Sequence, residues 1–433
     1  MLVFWLTCPS LYGQILTLSE CIAVGIKNNL SIQNARIGVN KRHTAVSQNR
    51  AQLLPVLQGV AQWTDYVVNP VNVTTGTLLG NDFPDDPTWQ TIRSMTYNSQ
   101  VGVQLSMPLY APTVTAELDV ARAVEHIAQL SLDKATEELT VQIAKIYYLA
   151  QLTKAQLLLT ETNINRMQTL CQITEAMYEQ GVVMPIDLNR VRINLQTLQA
   201  NRTAQQTLQA QQLNMLRYLL DLSLDAPLDI TPMNQTFVPL SCGVGSTVLP
   251  AEQLAEKQKE LVSLRLKSLR TEYLPTVSLT VYAGGMGYNE KFTELFDHWF
   301  GNCFVGVTVK MPIFDGHAKR LRKQQYQYDA AQAQNNLDLI RKQIARGRAD
   351  ATLQLTRNME LVTTQQACAR QAEDVYAVAE EQYREGVASM TALLQDDMQL
   401  RQAQASCVQA VCQCYLAQLD LLQQTGNLRV LSE

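Results

Sequence analysis

The sequence predicts a mainly α-helical protein carrying four membrane β-strands. Three observations predict it: long stretches nearly free of proline, aromatic-rich segments that alternate apolar with polar residues, and a duplication that repeats one plan twice. The chain has 433 residues, enough for two or three compact domains, yet its composition favours extended elements. Residues 315–433 contain no proline and residues 113–226 only Pro185. Both stretches are rich in Ala, Gln, Leu and charged side chains, which lose little freedom in a helix.

At the N-terminus, residues 1–13 place Leu2, Val3, Phe4, Trp5 and Leu6 ahead of Gln14, where the polar chain begins. This reads as the apolar core and cleavage region of a partial signal peptide whose basic start is missing, and it predicts export. The alternative is a short apolar N-terminus buried in the protein. Cys8 offers a thiol for lipid attachment, but Trp5, Leu6 and Thr7 suit such a site poorly.

Residues 14–230 form the first structural repeat: a helix, a strand pair within 53–110, a very long helix, a tip turn at Gly181 and a return helix. Residues 231–250 are a linker. Residues 251–433 form the second repeat, with a helix, a strand pair within 273–314, a long helix, a tip turn at Gly386 and a return helix. The duplication rests on matches at an offset of about 205 residues. The segment 101–110, VGVQLSMPLY, returns at 305–314 as VGVTVKMPIF, and Tyr178-Glu179-Gln180-Gly181-Val182 returns as Tyr383-Arg384-Glu385-Gly386-Val387. Upstream, Leu53-Leu54-Pro55 returns as Tyr273-Leu274-Pro275 at a slightly longer offset.

Strand character rests on period-two alternation. Val277, Leu279, Val281 and Ala283 face one way, Ser278, Thr280 and Tyr282 the other; Val305, Val307, Val309 and Met311 alternate with Gly306, Thr308 and Lys310. In the first half Val101, Val103, Leu105, Met107 and Leu109 alternate with Gly102, Gln104 and Ser106, while 56–66 alternates less cleanly. A soluble half-buried sheet would show the same pattern. Length favours the membrane, since the segments run for roughly 9 to 11 residues, what a tilted strand needs to cross a bilayer. Aromatic placement favours it too: Trp63, Tyr66, Phe83, Trp89, Tyr97 and Tyr110 collect in one strand region. Tyr282, Tyr288, Phe292, Phe296, Trp299, Phe300, Phe304 and Phe314 collect in the other, as in interfacial belts. The loops at 69–96 and 287–302 are expected to be polar connections facing the exterior. Four strands cannot close a barrel, and open edges are not tolerated in lipid, so several copies must share one barrel.

Residues 113–179 would make a helix of roughly 100 Å at 1.5 Å per residue. Apolar spacings of three and four recur, as in Leu188, Val191, Leu195 and Leu198, or Val411, Tyr415, Leu419 and Leu422. Between them lie Gln, Asn, Thr and Ala, so paired helices with a second, wetted face are expected. Arg122, Lys145, Arg346 and Arg348 face either outer solvent or a lumen.

The net charge of −4 and the absence of a basic run argue against a nucleic-acid partner. Beyond the N-terminus no stretch approaches 18 consecutive apolar residues, so any crossing of a membrane is made by strands. The nine cysteines are scattered along the chain. Cys412 and Cys414 stand two apart, on different faces of a helix, and so form no metal pair. The four histidines, His43, His126, His298 and His317, show no metal-ligand spacing, and no nucleophile elbow or phosphate loop is present. No catalytic residue, metal site or cofactor is expected.

The opening LTLSECIA at 16–23, followed by Asn28-Asn29-Leu30, resembles the start of TolC-like outer-membrane efflux proteins. Leu53-Leu54-Pro55, the two Met-Pro strand ends and the two Tyr-x-x-Gly-Val turns match the same family in order. The resemblance implies a homotrimer whose shared twelve-stranded barrel sits in the outer membrane of a Gram-negative bacterium, continued by an α-helical coiled-coil barrel into the periplasm. It implies as partners a periplasmic adaptor, an inner-membrane pump that supplies the energy, and outer-membrane lipid. It makes Gly181 and Gly386 the periplasmic tips. It also places a constricting gate beside them, at Asp187, with Tyr178 and Tyr383 either locking neighbouring helices by hydrogen bonds or simply packing there. The second half has Ala392 where the first has Asp187, and Asp396, with Asp397 beside it, would be a displaced ring. A plain helix-dipole role would serve Asp187 equally well. The competing reading of the chain is a soluble periplasmic coiled-coil scaffold or adaptor.

Overall fold

Helix-forming sequence and breaks alternate along the chain, and the computed structural model, which describes residues 15–75, 89–234, 236–239 and 248–431, places each break. The partial signal peptide and Cys8 lie outside the described residues, as does Phe83. The elements run β1 (Ile15–Leu16), α1 (Leu18–Asn28), α2 (Leu30–Ala51), β2 (Val56–Asp65), β3 (Val71–Thr75), β4 (Trp89–Arg93), β5 (Tyr97–Tyr110), α3 (Pro112–Glu179) and α4 (Pro185–Leu220). They continue with β6 (Asp229–Ile230), α5 (Pro250–Thr271), β7 (Thr276–Asn289), β8 (Phe300–Lys310), α6 (Ala318–Arg384) and α7 (Met390–Thr425). Thus α2-β2-β5-α3-α4 recurs as α5-β7-β8-α6-α7. The long helices have 68 and 67 residues and the return helices 36 each.

The chain folds as two compact units. One consists of Lys41–Glu125 and Lys259–Gln332 and holds the antiparallel sheet, in the order β2-β5-β7-β8. Its register turns the alternation of each strand into continuous cross-strand rows. Leu57, Leu105, Val281 and Val305 make one apolar row, while Gln58, Gln104, Tyr282 and Phe304 make a row on the opposite face. The apolar face is uncovered in the single chain: Val305, Val307 and Val309 are 69%, 60% and 63% exposed. Among the described residues β2 and β8 end the sheet, each with one side unpaired.

Two features exceed the sequence reading. Strands β5 and β7 have 14 residues each, longer than a bare crossing requires. The segment 69–96, expected as a polar loop, contains a second hairpin, β3 paired with β4. Its Val71, Val73, Thr91 and Ile92 are β-branched, which suits them to strands.

Pro108 sits inside β5, where a missing N–H would ordinarily break the ladder. The last β2–β5 pair is Val56 with Ser106, so Pro108 lies beyond the end of β2, and the register toward β7 shifts between Pro108 and Tyr110. Nearby, Tyr282 is 1% exposed and stacks on Phe304 at 5.6 Å. Its ring fills the space left by Gly102 and Gly284: a Cβ at Gly102 would stand 2.5 Å from the Tyr282 hydroxyl.

The other unit holds the described residues up to Asn40, those within His126–Gln258 and those from Ala333 onward. Its entry helix α1 is fixed by a reciprocal cap, Thr17 Oγ1 accepting from the Glu20 N–H and Glu20 accepting from the Thr17 N–H at 2.8 Å. The largest core brings Ile22, Ile143, Tyr147, Leu216, Leu220, Leu419 and Leu422 together. Tyr147 donates from its hydroxyl to the Leu16 carbonyl at 3.0 Å, beneath a two-residue parallel bridge of β1 with β6 that the sequence reading missed. Phe237, in the linker, packs edge-on against Tyr415 at 5.1 Å. Cys412 belongs to this core and points at the Tyr148 carbonyl, whereas Cys414 packs with Val362 and Ala410. The two thiols therefore diverge as helix geometry requires. Among the described residues no helix is long and apolar enough to cross a membrane.

Candidate functional site at the helical turns

Both long helices end in the same way, and the Tyr-x-x-Gly-Val motif is the reason. In the first, the Gly181 N–H donates to the Tyr178 carbonyl at 2.9 Å and the Val182 N–H to the Met177 carbonyl at 3.0 Å. In the second, Gly386 donates to Tyr383 at 3.0 Å and Val387 to Gln382 at 2.9 Å. This paired closure demands a left-handed residue, and Gly181 and Gly386 have φ of 74° and 75°. The apolar side chains at the turns, Val182, Met184, Ile186 and Val387, are all more than half exposed.

The return helices start differently. Helix α4 opens with Pro185 at its first position and no side-chain cap, and Asp187 supplies the negative charge favoured in a first turn. Helix α7 is capped by Ser389, whose Oγ accepts from the Ala392 N–H at 3.3 Å. Ser389 thus supplies a side-chain cap that α4 lacks, and Ala392 stands where α4 carries Asp187.

Below the turns, Ile164, Met167 and Leu170 of α3, Val191 and Leu198 of α4, Tyr376 and Tyr383 of α6, and Met390, Leu393 and Leu400 of α7 share one core. Asp187 is half-buried and pairs with Arg190 at 2.9 Å, and the same guanidinium donates to Thr391 Oγ1 at 3.1 Å, tying α4 to α7. Tyr383 is buried, its hydroxyl without a hydrogen-bond partner among the described residues; burial pushes its phenol up, and the Asp187 charge raises it further. Asp187 and Tyr383 are therefore brought together. Tyr178 is 41% exposed. Asp396 is half-buried and makes no ion pair among the described residues.

Asp397 has a different setting from its neighbour. It is 1% exposed and sits between two arginines, Oδ1 2.9 Å from Arg166 of α3 and Oδ2 2.9 Å from Arg401 of its own helix. Arg166 also donates to Asn163 Oδ1 at 2.8 Å, and its guanidinium lies 4.6 Å from the centre of the Tyr376 ring. Burial, with the Glu380 charge second, pushes Tyr376 up to about 12. Sequence reasoning named the carboxylates and missed the arginines. The i,i+3 and i,i+4 spacings of Arg190 and Arg401 were available signals; Arg166, over two hundred residues from Asp397, offered none. Among the described residues no group of three or more His, Cys, Asp or Glu could hold a metal ion.

A family model described as outer membrane efflux protein matches residues 24–221 and 253–427. The chain is similar to the antibiotic efflux pump outer membrane protein ArpC of Pseudomonas putida, 22% identical over 415 residues, covering 90% of this chain and 79% of that one. Among solved structures it resembles the outer membrane protein VceC of Vibrio cholerae, with a TM-score of 0.76, 15% identity and coverage of 94% and 96%. It also resembles the CmeC outer membrane channel of Campylobacter jejuni, with a TM-score of 0.78, 15% identity and coverage of 95% and 85%.

Proposed function

Since the chain belongs to the outer membrane efflux protein family, we propose that three copies of it form one continuous conduit whose energy comes from an inner-membrane pump. The protein is an outer-membrane channel of an efflux system, and this sets aside the soluble-scaffold reading. One observation carries the finer proposal: a four-stranded sheet with one uncovered apolar face and two unpaired edges. In lipid an unpaired edge leaves backbone groups unsatisfied, so β8 of one copy must meet β2 of the next, and the strand order keeps that junction antiparallel. Three copies supply twelve strands. The duplicated halves, 14–230 and 251–433 joined by the linker 231–250, then give each copy two hairpins, α3–α4 and α6–α7, behind an N-terminal export signal at 1–13.

In this reading the turns at Gly181 and Gly386 form the periplasmic end and meet a periplasmic adaptor through the exposed apolar residues there. Asp187, Tyr178, Tyr383, Asp396 and Asp397 are the candidate gate. The Asp187–Arg190 ion pair supports a reading in which Asp396 is the more effective source of cation attraction.

Planar-bilayer conductance of the detergent-extracted protein tests the proposal. Discrete cation-preferring steps are expected, with Asp396→Ala weakening the preference more than Asp187→Ala. Release from membranes by salt alone, with no conductance, would sink it.

A further inference from the structure

At the end of the sheet remote from the helices, aromatic residues stand on both faces, and lipid explains only one group. On the apolar face Trp63 and Tyr97 stack at 6.4 Å, and Phe292 packs edge-on against both. An interfacial belt accounts for these. On the opposite face the register sets Tyr288 beside Asn98, and Phe300 beside Met286 in the next row. Tyr288 and Phe300 thus share the polar face of Gln104 and Tyr282, which a closed barrel turns away from lipid. They are nevertheless 36% and 58% exposed, with ring centroids 6.3 Å apart. Together with Tyr66, Arg93, Asn98 and Glu290 they line a cavity of about 720 Å³. That volume suits a ligand of drug size.

The charges in the cavity wall narrow the ligand's chemistry. Arg93, at the end of β4, and Glu290, just past β7, have opposite signs, and neither makes an ion pair among the described residues. Thr96 Oγ1 donates to Glu290 Oε2 at 2.6 Å, which orients the carboxylate without neutralising it. A ligand with a single charge would leave one of the two unanswered. A flat ring carrying both an ammonium and a carboxylate engages both, and the tyrosine faces add attraction for the ammonium. Resting on the channel reading above, we infer that this cavity is an exit station inside the extracellular mouth that binds flat-ring zwitterions of drug size. The ligand's carboxylate meets Arg93, its ammonium meets Glu290, and its ring lies against Tyr288 and Phe300. Passage requires that such a ligand also leave readily, so its residence is short.

The probe is ciprofloxacin, a flat-ring zwitterion, compared with its ethyl ester, which keeps only the amine charge, and its N-acetyl derivative, which keeps only the carboxylate. Equilibrium dialysis against the detergent-extracted protein measures affinity, and transient blockades of single-channel current measure residence. The zwitterion should bind about tenfold or more tightly than either derivative. Tyr288→Ala, and Arg93→Gln combined with Glu290→Gln, should each shorten its blockades by about tenfold while unblocked conductance stays within about twofold of the parent. Exchanging the charges, Arg93→Glu with Glu290→Arg, should restore binding, because one charge of each sign remains. Equal affinity for all three compounds, or variants indistinguishable from the parent, would overturn the exit station while leaving the channel standing. If a variant fails to assemble, the three compounds on the parent protein still decide. Dialysis needs no current, so selective binding by a protein that conducts nothing would uphold the pocket's ligand class and count against the channel instead.

Discussion

At the scale of single residues, backbone conformation and burial dictate what each position tolerates. Gly386 and Gly181 occupy a region where an L side chain costs roughly 1–2 kcal/mol. Gly386→Ala should lower the thermal midpoint by a few degrees and increase protease cleavage at the turn. Gly102 is constrained by a neighbour: Gly102→Val must displace the Tyr282 ring. We expect loss of the heat-resistant oligomer on gels for that variant, while Gly59→Ala, where nothing lies within 4 Å, leaves it intact. Burial pushes the thiols of Cys21 and Cys412 up to about 12. The unfolded chain releases these protons near 9, so stability is intact below that pH and declines as pH rises from about 9 toward 12. Thermal unfolding between pH 8 and 11 should show that decline, reduced in Cys412→Ala relative to its own pH 8 value.

At the scale of elements, much was legible before any coordinates. Proline-free stretches gave α3 and α6 within a residue or a few of their limits, and period-two alternation gave β5, β7 and β8. What stayed hidden depended on distant partners. The β1–β6 bridge is two residues long on each side, too short to leave a pattern, and is held by Tyr147 from 131 residues away. The β3–β4 hairpin was masked by the polar residues around it. The carboxylates Asp187, Asp396 and Asp397 were readable because they stand near recognisable turns; Arg166 was not, because its pairing between α3 and α7 has no local signature. The unequal caps of the return helices make a further prediction. Ser389→Ala should cost about 1 kcal/mol of local stability at the start of α7. Asp187→Ala should cost less at the start of α4, about 0.5 kcal/mol. Amide exchange in the first turn of each helix would measure both.

At the scale of the whole molecule, the two-fold repetition explains why a chain this long needs only one kind of hairpin and one kind of strand pair. Each half supplies half of a sheet, and neither half alone can cover its backbone. Native mass spectrometry of the extracted protein should give a trimer, and blocking the β8 edge, for example with Val307→Pro, should abolish it.

The open edges of β2 and β8 also set how the protein behaves in a mixed population. A copy that cannot offer both edges does not merely fail; it occupies a place that two sound copies cannot fill without it. In a cell making equal amounts of intact and edge-blocked chains, random assembly would leave roughly one complex in eight wholly intact. An edge variant carried beside the normal gene is thus expected to act as a dominant poison of export, whereas a null allele would be silent.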